Sequence, residues 1–160
     1  MIIKSFEINR KKFDKEHFFL IYGENEGLKN EIIKNLEKIF KGSIENYHET
    51  QIINNNELFY EKMFNQSFFE KEKVIIINRC SDKIFEVIEN IIERENSDIK
   101  IILNAGVLDK KSKLRNLFEK RRELVIVPTY KDNSITLADI AKRFFNNYKI
   151  SISQETINLL

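Results

Sequence analysis

The sequence has a single cysteine, Cys80, so it can build neither an internal disulfide framework nor a multi-cysteine zinc site, as suits a reducing cytoplasm. One proline and four glycines leave little room for linker, and no repeat or low-complexity segment interrupts the chain. There is no charged-then-apolar leader and no apolar run near about 18 residues, so neither secretion nor a membrane span is expected. An excess of one charge is lacking too. The 27 basic residues stand against 25 acidic ones, and a net charge of +2 creates no strong field toward nucleic acid or membrane. G-x-S-x-G, H-E-x-x-H and Gly-rich dinucleotide fingerprints do not occur. His17 and His48 lie far apart with no cysteine near either, which reads as surface or loop histidine, and no metal site is expected. Cys80, beside Arg79 and with no histidine assignable as its base, reads as a packed thiol.

What remains is a chain of 160 residues, 42% hydrophobic and 32% charged, enough for one α/β domain with a real core and the start of a second. Ile2, Ile3, Phe6 and Ile8 predict a short initial strand, and Phe18 to Tyr22 a buried one. Leu28, Ile32, Ile33, Leu36, Ile39 and Phe40 follow at helical period, predicting a helix from about Gly27 to Lys41 that ends at Gly42-Ser43. Ile44 to Ile53 is ambiguous and includes a strand. Glu57 to Asn65 carries helical spacing, and Val74 to Ile77 is a fully buried strand. Ser81 or Asp82 is expected to cap a helix bearing Ile84, Val87, Ile88, Ile91 and Ile92. Ile99 to Leu103 is the next strand, Asp109 the expected cap of a helix with Leu114, Leu117 and Phe118, and Leu124 to Val127 a strand that Pro128 stops. Strands alternating with helices at this spacing predict a parallel sheet with right-handed crossovers. After a polar hinge at Thr129 to Ser134, a capping box from Thr136 to Asp139 opens a helical region. The pattern from Ser153 to Leu160 stops without a cap, so the chain is expected to continue.

The segment from His17 to Asn30 organises the rest. A buried strand running through Gly23 into a helix is where an α/β nucleotide-binding domain holds phosphate. Against G-x-x-x-x-G-K-[ST], Gly23 and Lys29 match, but Leu28 stands at the second glycine and Asn30 at the hydroxyl position. Leu28 brings a side chain to a place where backbone must approach phosphate closely. Glu24 and Glu26 put negative charge where an anion belongs. The loop reads as a phosphate-loop architecture without nucleotide binding and hence no cofactor, while an ordinary βα turn fits the same residues. The strand Val74 to Ile77 ends in Asn78-Arg79, without the carboxylate that hydrolysis needs for metal and water.

Two stretches could carry binding. Met63 and Phe64 close a helix and Phe68-Phe69 fall in the loop after it, a cluster able to anchor in a partner's pocket. Closing the bottom of the sheet is the other reading of those rings. Lys110, Lys111, Lys113 and Arg115, with Lys120, Arg121 and Arg122, form a basic face broken by Glu119, either solvated or a DNA or partner patch.

Three stretches of the chain resemble the delta subunit of the bacterial DNA polymerase III clamp loader. They are Phe19 to Glu26, like its opening strand and non-functional phosphate loop; Ser67 to Ile77, like its Ser-apolar-Phe segment and third strand; and Leu103 to Leu114, like its Leu-Asp-Lys-x-Ser-Lys-Leu signature. Leu137 to Ile140 and Ile150 to Ser153 are similar to its lid. The resemblance implies an α/β AAA+ fold: a RecA-like parallel sheet flanked by helices over residues 1–130, then the start of a small helical lid over 131–160. A further helical domain is expected beyond Leu160. It also implies a cytoplasmic, non-hydrolysing component of the DNA polymerase III holoenzyme that binds the sliding clamp (beta) and lets the ring open. Phe68 and Phe69 match the family's Leu-Phe pair, with Phe at the first position a departure, and Met63 and Phe64 support that contact. The implied partners are the clamp, the gamma/tau and delta prime subunits, and DNA through the assembled complex. Delta prime itself fits poorly because its zinc-binding cysteines are absent. An active P-loop ATPase, or a DNA-binding module using the 110–122 face, are the alternatives.

Overall fold

The computed structural model describes residues 1–8, 11–13, 15–40, 42–64, 73–94 and 99–158. Five strands, β1 (Phe18–Gly23), β2 (Ser43–His48), β3 (Lys73–Cys80), β4 (Ile99–Ala105) and β5 (Val125–Thr129), form one sheet in the order β2-β3-β4-β1-β5. Every pairing is parallel. The helices are α1 (Glu26–Ile39), α2 (Glu49–Asn54), α3 (Asn56–Phe64), α4 (Phe85–Glu93), α5 (Lys113–Lys120), α6 (Ser134–Asn147) and α7 (Gln154–Asn158). This is the α/β class expected from the alternation of periods, a parallel sheet flanked by helices.

Strand residues divide by parity between two cores, because side chains alternate across a strand. Phe19, Ile21, Val74, Ile76, Ile102, Val125 and Val127 face α1, which supplies Ile32, Ile33 and Leu36, and the N-terminal residues Ile3, Ile8 and Phe13. Leu20, Ile75, Ile77, Ile101, Leu103 and Ile126 face the other core, filled by Met63 of α3, Ile88 of α4 and Phe118 of α5. Strands covered on both faces are the reason the sequence shows continuous Ile-rich runs rather than alternation.

The chain divides into two compact units, Met1–Thr129 and Tyr130–Leu160. In the second, α6 is capped by Asn133, whose Oδ1 accepts from the Ile135 and Thr136 N–H groups at 3.0 Å. The Asn133 N–H donates back to Thr136 Oγ1 at 2.8 Å. The box therefore lies three residues before the expected Thr136–Asp139 pair, because Asn accepts at this position at least as well as Thr.

Other boundaries differ from expectation for local reasons. The initial strand shrinks to one bridge, Ile2 to Ile126, since the Glu7 N–H turns back onto the Lys4 carbonyl at 2.9 Å. The ambiguous 44–53 region is β2 followed at once by α2, with no Gly or Pro between them. Helix α1 starts at Glu26 and gives way to extended backbone at Phe40, before Gly42.

Phe19 is fully buried with its ring edge-on to Phe13 at 5.2 Å and tilted against Phe40 at 5.4 Å. Phe19→Ala should lower the unfolding free energy by about 3–5 kcal/mol in denaturant titration, the cost of a large buried ring and its cavity. A loss below about 1 kcal/mol would mean that this core is not packed as described.

Candidate functional site

Open parallel sheets place ligands outside the carboxyl ends of their strands. Here that edge is formed by Gly23, His48, Cys80, Ala105 and Thr129 and the turns that follow them.

Gly23 turns the chain from β1 toward α1 at φ +136°, and a Cβ there would lie 2.0 Å from the Thr129 carbonyl oxygen. Thr129 Oγ1 donates to the Tyr22 carbonyl at 2.9 Å, and the Gly23 N–H donates to the Gly106 carbonyl at 3.1 Å. Glycine is thus required at position 23 by contact between β1 and β5, independently of any ligand.

Beyond it, only Glu24 and Asn25 separate strand from helix. Asn25 caps α1, its Oδ1 accepting from the Leu28 N–H at 3.0 Å. The Lys29 N–H donates to the Asn25 carbonyl, also at 3.0 Å, and the Glu26 N–H donates to the Glu24 carbonyl. Leu28, at the second glycine position, is already helical and half-buried against the α1 core, and Asn30 is exposed one residue past Lys29. The Glu26, Leu28 and Lys29 amides are therefore bonded within the turn itself.

Lys29 is only 1% exposed. Its Nζ lies 2.7 Å from Glu26 Oε1 and donates to the Ala105 carbonyl at 2.8 Å. A cation in the first turn meets the positive end of the helix dipole, so burial there demands a neighbouring anion. Glu26 supplies it. Lys29, at the position that would be a Walker A lysine, is engaged by its own turn and by the end of β4.

The rest of the edge is closed in the same manner. Asn104 Nδ2 donates to Asn78 Oδ1 at 3.1 Å where a hydrolytic carboxylate would stand. Arg79 then takes φ +60° across an irregularity in the β3–β4 register. Cys80 is buried, and desolvation followed by the Glu49 charge pushes its thiol far above the ordinary range, so it is inert. Buried Glu49 accepts from the Ser81 N–H at 2.6 Å and from Ser81 Oγ at 3.0 Å.

Asp82 does not cap the helix that follows it. Ser81 Oγ accepts from the Lys83 N–H over a 3-10 turn at Asp82–Ile84. Asp82 instead reaches the start of α5, accepting from Ser112 Oγ at 2.6 Å and from the Leu114 and Lys113 N–H groups at 3.0 and 3.1 Å. Ser112 is the local cap, accepting from the Arg115 N–H at 3.1 Å. Asp109, the expected cap, only closes the preceding turn through the Lys111 N–H. Sequence reasoning missed this pairing because its partners are some thirty residues apart; the sole local signal was a carboxylate left over beside a Ser that already capped the turn.

Of the binding candidates, Met63 is 1% exposed within the core, and Phe64 is half-buried, stacked on Tyr60 at 6.4 Å with the Arg94 guanidinium 5.2 Å from its ring. Phe68 and Phe69 lie outside the described residues. In the basic face, Arg115 is taken inward: it pairs with Glu119 at 2.8 Å, donates to the Leu108 carbonyl and lies over the Tyr22 ring. Lys110, Lys111 and Lys113 are exposed. Among the described residues no helix is long and apolar enough to cross a membrane.

No protein-family model matches this chain, and no curated protein sequence does. Among solved structures, the Bacillus subtilis DNA clamp loader delta protein aligns with 96% of this chain at a TM-score of 0.65 and 13% identity. This chain shares that protein's fold. It spans half of that protein's length, 50%. Domain III of the Thermotoga maritima replication initiation protein DnaA aligns with 97% of the chain and 71% of its own, at a TM-score of 0.44 and 12% identity.

Two outcomes test this edge. Gly23→Ala should cost about 3 kcal/mol or more in denaturant unfolding, since it adds both a disfavoured φ and a backbone collision; a loss under about 1 kcal/mol would contradict the described turn. For Asp82, partial desolvation raises the carboxyl pKa, but hydrogen bonds from Ser112 and the Leu114 and Lys113 amides, with the Lys113 charge, outweigh it and hold the pKa below the ordinary 3.8. A depressed native pKa stabilises above the unfolded value and is lost as pH falls through the native one. Stability should therefore fall below about pH 4, with Asp82→Asn showing a shallower decline over that window. Parallel pH profiles for the two proteins would rule out the long-range cap.

Proposed function

We propose that this chain is a clamp-loader delta-type protein that binds a ring-shaped sliding clamp and favours its open form without hydrolysing ATP. The observation that carries the reading is the fold shared with a DNA clamp loader delta protein along 96% of the chain. The Leu-Asp-Lys-Lys-Ser-Lys-Leu run at Leu108–Leu114 supports it. So does the phosphate loop whose lysine is bound to Glu26 and Ala105.

On this reading residues 1–130 are a RecA-like AAA+ domain and 131–160 the start of a helical lid, with a third, helical domain beyond Leu160. Phe68 and Phe69 enter an apolar pocket on the clamp, while Phe64, stacked on Tyr60, and Met63 behind it hold the helix from which that segment leaves. Two aromatic anchors in a desolvated pocket can each be worth about 2 kcal/mol or more. A ring opens only if its open form is bound more tightly than the closed one, so the contact must be differential. Nucleotide timing then belongs to neighbouring gamma/tau and delta prime subunits. DNA is met through the assembled cytoplasmic complex, within the DNA polymerase III holoenzyme.

Surface plasmon resonance against the cognate clamp tests the reading. Phe68→Ala/Phe69→Ala, folded by circular dichroism, should bind about 1,000-fold more weakly than the native chain. Equal affinity of the two, or no binding by the native chain, would sink the proposal.

A further inference from the structure

We infer that Lys73 is a positioning residue for clamp contact, fastening the last turn of α3 to the start of β3; this rests on the function proposed above. Lys73 opens β3 and is buried, on the strand face it shares with Ile75 and Ile77, toward α3. Its Nζ donates to the Lys62 carbonyl at 3.2 Å and lies 2.9 Å from Glu45 Oε1 on β2. Glu45 in turn accepts from the Tyr47 hydroxyl at 2.6 Å. One ammonium group thus joins three elements.

Stability alone is a poor reason for it. Apolar residues of similar volume often match or exceed a buried ion pair in stability, whereas the pair fixes where its partners lie. A methionine at position 73 would pack in this core without a counter-ion. What the ammonium adds is the contact with Lys62. That carbonyl lies in the last turn of α3, where carbonyls lack helical partners and the helix dipole favours a cation. Helix α3 has nine residues and buries only Phe59 and Met63. It is shorter than the roughly 12 residues at which a helix begins to persist alone in water, so its end must be held from outside.

A second contact holds the same turn. The Arg94 guanidinium, at the end of α4, lies 5.2 Å from both the Tyr60 and the Phe64 ring centroids. Those two rings stack at 6.4 Å, with 13° between their planes. The planar guanidinium suits such a stack as a compact ammonium does not.

Residues 65–72, Phe68 and Phe69 among them, leave α3 at Phe64 and enter β3 at Lys73. Whatever path they take, Lys73 ties its two ends together. Fixing the ends of a segment removes freedom that binding would otherwise have to remove. The ammonium of Lys73 is therefore expected to act on clamp affinity rather than on folding.

Surface plasmon resonance against the cognate clamp, paired with denaturant unfolding of the same chains, tests this. Lys73→Met should bind about tenfold more weakly while its unfolding midpoint is unchanged or higher, a split that a merely structural residue would not show. Lys73→Arg, which keeps a cation for the carbonyl and for Glu45, should bind within about threefold of the native chain. If Lys73→Met does not fold, Arg94→Gln loosens the same turn from an exposed position and should weaken binding about threefold at unchanged stability. Native affinity in Lys73→Met, or in Arg94→Gln where it stands in, overturns the inference. When Phe68→Ala/Phe69→Ala has meanwhile lost binding, the proposed function stands without it. Affinity and stability lost in parallel also overturn it, leaving Lys73 a structural role. No binding by the native chain removes the proposed function and the role of Lys73 together.

Discussion

An ammonium group buried at the first turn of a helix is among the less favourable placements a protein can make, because burial and the helix dipole both oppose it. Lys29 occupies such a place and is held by two contacts, the Glu26 carboxylate at 2.7 Å and the Ala105 carbonyl at 2.8 Å. Those contacts dictate much around them. Glu26 must lie within a turn of Lys29, so the helix starts at Glu26 and the turn before it is only Glu24 and Asn25. The Ala105 carbonyl must lie at the end of β4, next to β1, which the parallel β1–β4 register provides by aligning Tyr22 with Ala105. Lys29 therefore ties α1 to the sheet, whereas the lysine of a Walker A loop points at phosphate.

The same solution recurs along that edge. Asn78 with Asn104, Glu49 with Ser81, and Asp82 with the start of α5 each satisfy a polar group by a partner from another element. Ligand-binding edges of open sheets usually keep such groups uncommitted. Here they join the loops of that edge to one another and to the sheet. On the proposed reading this suits a protein whose task is to hold another protein in one shape, since rigid supports lose less freedom on association.

The α/β class and nearly every element were legible because two periods alternate cleanly: Ile-rich runs such as Val74–Ile77, and helical stripes such as Leu28–Phe40. What could not be read was of two kinds. Ile44–Ile53 resisted because β2 is an edge strand with half-buried and exposed residues alternating, and it joins α2 without punctuation. Caps were misplaced wherever a side chain from elsewhere did the capping, as Asp82 does for α5, or where several cap-forming residues crowd together, as at Asn133–Thr136. In the β1–α1 turn, the spacing of Gly23 and Lys29 was visible, and so was the excess of carboxylates. Glu26 was read only as a charge opposed to phosphate; its i, i+3 pairing with Lys29 and the bond to the Ala105 carbonyl came from the structure. For the basic face, composition could not separate Arg115, which is turned inward, from Lys111 and Lys113, which are not.

Titration calorimetry of the chain with magnesium ATP tests whether the loop around Lys29 is sealed. No saturable binding tighter than about 1 mM is expected, because Lys29 and the Glu26, Leu28 and Lys29 amides are already engaged. Saturable binding in that range, lost in Lys29→Met, would show that ATP displaces Glu26 and that the loop is a working one.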